Sequence, residues 1–126
     1  MNCLRIYATP NGESHFEDYE IPLTLSEMFP HQPPFYLSSR YPASRIRFVS
    51  IPAGLREAGW HTAPERLLAV WLNGETEFET SDGEIRRLPP GGLLLAEDTH
   101  GKGHISRHPE EGQQVILVSL PDGIGQ

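Results

Sequence analysis

One cysteine and one lysine stand among 126 residues, and each scarcity excludes something. A lone cysteine, Cys3, closes no internal disulfide, so a hydrophobic core must hold the fold, and a reducing, cytoplasmic setting is expected. The cations are nine arginines and Lys102; with 17 acidic against 10 basic side chains the net charge is −7. No Lys/Arg run interrupts that negative balance, which argues against nucleic acid or an anionic membrane as partner. No window approaches the roughly 18 apolar residues of a membrane span. The stretch Met1 to Tyr7 also lacks the basic start and apolar core of an export signal. No serine sits in a Gly-x-Ser-x-Gly setting, and no long glycine loop leads into a helix to cradle phosphate. Small molecules or proteins remain as the expected partners.

Punctuation is abundant instead. Twelve glycines and twelve prolines leave little room for uninterrupted helices, so the expected class is all-β. Strands are expected over 4–9 and 15–25, with a turn or short helix over 25–29 that Ser26 would cap. Pro30 to Pro34 cannot lie in a central strand, because proline donates no ladder bond. Further on, strands are expected over 45–51, 67–72, 75–80, 84–88, 93–96, 104–107 and 114–120, with a long loop over 52–64 and another over 97–103. Asn73-Gly74 is the strongest hairpin signal in the sequence, and Asp82-Gly83 is a second. Short strands at spacings of about 8 to 12 residues indicate a sandwich or barrel.

Several segments then carry a resemblance: Pro52-Ala53-Gly54, Trp60-His61-Thr62-Ala63-Pro64, Leu72 to Glu75, Pro90-Gly91 and Gly101-Lys102-Gly103-His104. In this order they resemble the cupin superfamily, small jelly-roll barrels with two histidine-bearing motifs separated by a hairpin. Within it the chain resembles the compact single-domain (RmlC-like) members carrying Trp-His-x-Ala-Pro and Glu-Asp-Thr-x-Gly-Lys-Gly-His segments. The resemblance implies one antiparallel jelly-roll barrel over 44–120. Residues 1–43 would add edge strands and a proline-rich arm to the same domain, and 121–126 would form a tail. Arms of this kind pair between subunits, so a homodimer is expected.

The resemblance also implies a pocket lined by His61 and His104. Metal-binding cupins add a further histidine and a carboxylate; here Gly59 stands at the first histidine position. Leu67 or Glu65 stands at the carboxylate position, depending on the direction of counting. A divalent transition metal on His61 and His104 would need a replacement donor from Glu97, Asp98 or His100. Without metal, the same pocket suits acid–base work. An imidazole titrates near neutrality, and Asp98 beside His61 or His104 would fix its tautomer. Lys102, between two glycines, offers an ammonium to a ligand oxygen. His15, His31, His100 and His108 read as surface or turn residues.

If His61 points inward, the two-residue period places Leu67, Ala69 and Trp71 on the pocket wall as substrate contacts. Arg47, with Arg45 on the same strand face, would favour an anionic substrate. The expected function is a small-molecule enzyme doing proton-transfer chemistry of the isomerase, cyclase or lyase type, with His61, Asp98, Lys102 and His104 as its catalytic groups. A metal-dependent dioxygenase and a non-catalytic ligand-binding module are the alternatives.

Overall fold

The computed structural model describes residues 1–125 and contains no helix among them. Accordingly, no helix is long and apolar enough to cross a membrane. Twelve strands form: β1 Asn2–Ala8, β2 Ser14–Glu20, β3 Thr24–Ser26, β4 Phe35–Leu37, β5 Ile46–Ile51 and β6 Glu57–His61, then β7 Leu67–Trp71, β8 Thr76–Thr80, β9 Ile85–Leu88, β10 Leu93–Ala96, β11 His104–Arg107 and β12 Gln113–Ser119. A six-stranded sheet runs β2-β1-β10-β7-β12-β5, a four-stranded sheet runs β6-β11-β8-β9, and β3 pairs with β4 alone. The large sheet is mixed, because β1 and β10 run parallel while its other pairs are antiparallel.

The two larger sheets pack face to face. Leu4, Ile6, Leu67, Ala69, Trp71, Leu94, Ala96 and Val115 from one sheet meet Phe78 and Leu88 from the other in a single core. A second core covers the outer face of the large sheet, where Cys3, Leu95, Leu120 and Ile124 cluster with Tyr19, Tyr41 and Leu68. This double burial explains why β10 reads Leu-Leu-Leu-Ala without alternation. Leu94 and Ala96 face one core, while Leu93 and Leu95 face the other. It also makes the expected tail part of the packing, since Ile124 is 4% exposed. Gln126, the last residue of that tail, lies outside the described residues.

Three expectations change. Leu25 to Phe29 forms no helix: Thr24, Leu25 and Ser26 pair with Leu37, Tyr36 and Phe35, and the Ser26 hydroxyl donates to the Thr24 carbonyl instead of capping a helix. The expected loop over 52–64 contains β6, whose Glu-Ala-Gly-Trp-His sequence has only Ala58 and Trp60 as apolar residues around a central glycine and is held by pairing with β11. Asn73-Gly74 makes a turn but no hairpin, because β7 and β8 belong to different sheets. Asn73 is clamped across that crossing. Its carbonyl accepts from Gln113 Nε2 (3.0 Å), and its side-chain oxygen accepts from the Gln114 amide (2.7 Å). Asp82-Gly83 does close a hairpin, joining β8 to β9.

β5 and β6, one from each sheet, lie at edges and share no ladder. The sandwich is open on this side, and no closed barrel forms.

Candidate functional site

Between the sheets lies a cavity of about 430 Å³. One wall is β7, whose alternation turns Leu67, Ala69 and Trp71 inward as expected, joined by Leu94, Ala96 and Val115. The other wall is β11 and its continuation, where the same two-residue period turns His104, Ser106 and His108 inward. Val49, Ile51, Leu55 and His61, along the open side between β5 and β6, are part-exposed or exposed lining residues and mark the mouth.

His104 is the centre of the polar wall. It is 5% exposed, and its Nδ1 lies 2.6 Å from Oδ2 of Asp98, which is fully buried. A carboxylate accepts, so Nδ1 carries the proton and Nε2 is left facing the cavity. Asp98 Oδ1 has no partner among the described residues, so the His104 ring is the group that meets the carboxylate's charge. His61 stands opposite His104 in the β6–β11 ladder, with ring centroids 4.5 Å apart. Its Nδ1 is 2.6 Å from the carbonyl of Gly59, which again can only accept. The Gly59 carbonyl therefore fixes the tautomer of His61.

Gly103 permits this approach. With φ at +73°, it sits where an added Cβ would stand 2.1 Å from the His61 carbonyl oxygen. Gly101 plays the same part against Gly12, where an added Cβ would stand 2.3 Å from the Gly12 carbonyl oxygen. The glycines around Lys102 thus serve close backbone approach within the fold.

A second polar relay was not anticipated. The Ser106 hydroxyl donates to His108 Nε2 (2.9 Å), and His108 Nδ1–H donates to Gln113 Oε1 (2.6 Å). That same oxygen accepts from the Thr76 hydroxyl at 3.0 Å. His108 is 6% exposed and stacks beside Trp71, contrary to the expected surface role. Burial pushes its imidazole below the ordinary value, with the nearby His61 adding to the shift. Residues 104, 106 and 108 fall on one face by period two, but that period alone does not say that the face is buried.

Other expected groups lie elsewhere. Lys102 projects from the surface and ion-pairs with Glu13; it does not line the cavity. Arg47 is exposed on β5, two residues before Val49 on the same face, in a shallow depression at the mouth with Arg45 and Glu65. Arg45 is engaged by Glu65 at 2.6 Å. Glu97 points away, gripped by Arg5 (2.6 Å) and Arg66 (2.5 Å). His15 bridges Thr9 and Asp82 on another surface, and His31 and His100 are exposed.

The donor set does not fit a metal ion. Nε2 of His61 and of His104 could ligate, because an Nδ1–H held by a carboxylate or carbonyl is the usual state of a metal-binding histidine, but both His108 nitrogens are occupied and Glu97 is held by arginines, so the set stops at two donors. Among the described residues, no group of three or more His, Cys, Asp or Glu side chains is placed to hold one.

No family model matches this sequence, and no curated protein matches it. Among solved structures it is similar to the crystal structure of protein NMB1881 from Neisseria meningitidis, with a TM-score of 0.46 and 17% identity over 65% of this chain and 76% of that one.

Proposed function

We propose that the chain is a cupin-type protein that transfers protons on a small, largely apolar molecule held between its sheets. The observation that carries this reading is the buried Asp98–His104 pair beside His61 at the polar wall of an otherwise apolar cavity. Two imidazoles with Nδ1 tied down present Nε2 to the same space, so one takes a proton from the bound molecule at Nε2 and, as the imidazolium, returns that same proton at a neighbouring atom. Asp98 holds the His104 ring in place and stabilises the imidazolium formed when Nε2 is protonated. The apolar lining around the buried Asp98–His104 pair strengthens that interaction. Isomerisation and elimination need only such transfers.

The reading extends to a jelly-roll relationship and to a homodimer. The β3–β4 hairpin and the outer face of β5 present Phe29, Phe35, Tyr36, Ile46 and Phe48 to solvent, a concentration of apolar surface that a second copy would cover. Sedimentation at micromolar concentration tests this, and a monomer there contradicts it.

The catalytic claim is tested by deuterium incorporation. A panel of small hydroxyketones and cyclic ketones is incubated in D₂O with the parent, His61→Asn and His104→Asn. Exchange at least tenfold above background in the parent, falling at least tenfold in His104→Asn, is expected. Saturable binding without exchange in any member would reduce the protein to a binding module.

A further inference from the structure

The hydrogen-bond directions around the cavity select the ligand. With its imidazoles neutral, the polar wall presents only acceptors. His61 Nε2 is one, because Nδ1–H is spent on the Gly59 carbonyl. His104 Nε2 is the second, because Nδ1–H is spent on Asp98. Ser106 Oγ is the third. Its hydrogen is spent on His108 Nε2, and that direction is forced because His108 Nδ1–H is itself committed to Gln113 Oε1. The Gln113 amide is oriented independently, with Oε1 accepting from Thr76 and Nε2 donating to the Asn73 carbonyl. The unpartnered donor nearby, Trp71 Nε1–H, is buried in packing and has no open surface. The rest of the lining, including Leu67, Ala69, Phe78 and Val115, is apolar, except for the exposed Ser50 at the mouth on β5.

We infer that the cavity takes a neutral, apolar molecule that brings hydrogen-bond donors, a phenol or comparable hydroxyl compound, and rejects carboxylates of the same shape. A carboxylate seated on the polar wall would place its lone pairs against those of His61, His104 and Ser106, with no donor on that wall to meet its charge. An ether of the same shape would leave buried acceptors unpaired. This reverses the anionic ligand expected from Arg47, which stands at the mouth and not in the cavity. A proton donor is also what two basic imidazoles act upon. The inference rests on the proposed reading of this cavity as the ligand site, but not on turnover.

The test uses p-cresol, 4-methylanisole and p-toluate, three probes with one ring and one varied polar group. Each is titrated into the ¹⁵N-labelled chain at pH 8.5, about two units above the ordinary imidazole value. p-Cresol is expected to bind with at least tenfold lower Kd than either competitor, a difference of about 1.4 kcal/mol, and to shift amides of β7 and β11. His61→Phe and Ser106→Ala each remove one acceptor while leaving Asp98 its partner, and each should shrink the preference at least threefold. Equal or tighter binding of p-toluate, absence of p-cresol binding, or a preference that survives both substitutions would overturn the inference. Exchange into D₂O reads turnover and this titration reads occupancy, so a selective but inert cavity keeps this inference and removes the other.

Discussion

The two walls of the cavity are built by the same rule to opposite ends. β7 turns Leu67, Ala69 and Trp71 inward, and β11 with its continuation turns His104, Ser106 and His108 inward, each by the two-residue period of a strand. The apolar wall needs nothing from its neighbours beyond contact. The polar wall is tolerable only because each buried group has a partner elsewhere in the chain: Asp98 for His104, and Gln113 for His108. Stability and ligand recognition should therefore separate on one wall and coincide on the other.

The largest effect should come from the polar wall. His104→Ala strips the fully buried Asp98 carboxylate of its hydrogen-bond partner. Breaking a buried pair in this way costs about 3–5 kcal/mol, to be read from urea unfolding, and should abolish proton exchange. The comparison breaks if stability is lost by less than about 1 kcal/mol. On the facing wall, Ala69 belongs to the core and also lines the cavity, so Ala69→Leu directs its added atoms toward that space. It should cost less than about 1.5 kcal/mol, while ligand affinity falls at least tenfold. Loss of folding there would show that the cavity is not available space.

Acid sharpens the contrast further. Burial holds the His108 imidazole below its ordinary value, so the folded chain refuses a proton that the unfolded chain accepts. Its effect on stability is absent above about pH 6.5 and grows as pH falls below it, at no more than about 1.4 kcal/mol per pH unit. A thermal-unfolding series from pH 7.5 to 5.5 should show the parent losing more stability than His108→Gln over that interval. Equal losses would remove His108 as a cause. Glu65, Glu77 and Asp82, all held below their ordinary values by hydrogen-bonding partners, add a separate loss at lower pH, as they are protonated on approach to the ordinary carboxylate range and below.

What was legible in the sequence divides along the same line. Alternation in β7, the turn at Asp82-Gly83 and the bounds of β11 follow from local pattern, and β11 lies where expected at 104–107. The placement of Asp98 beside His104 was legible as one of two options. Ser106 and His108 were not, because polar residues read as surface until the partners that license their burial are known, and Gln113 arrives from another strand. β6 is not legible because its apolar rhythm rests on Ala58 and Trp60 alone, around a central glycine. Asn73-Gly74 misled because a two-residue turn sets the local bend and not the sheet that the next strand joins.

Lys102 should show the smallest effect. Its ammonium meets Glu13 on the exposed surface, away from both walls. Lys102→Met is expected to shift the unfolding midpoint by less than about 2 °C and to leave p-cresol affinity unchanged. A tenfold loss would bring the loop back over the cavity.

The central claim is that the polar wall offers the Nε2 lone pairs of His61 and His104 to the cavity, with Nδ1–H held by Gly59 and Asp98. Long-range ¹H–¹⁵N correlation spectra of the histidine-labelled chain at pH 8.5 read each tautomer directly. The arrangement predicts Nδ1–H for His61, His104 and His108, with both Nε2 signals of His61 and His104 moving when p-cresol is added. An Nε2–H tautomer at either His61 or His104 in the free protein would contradict it.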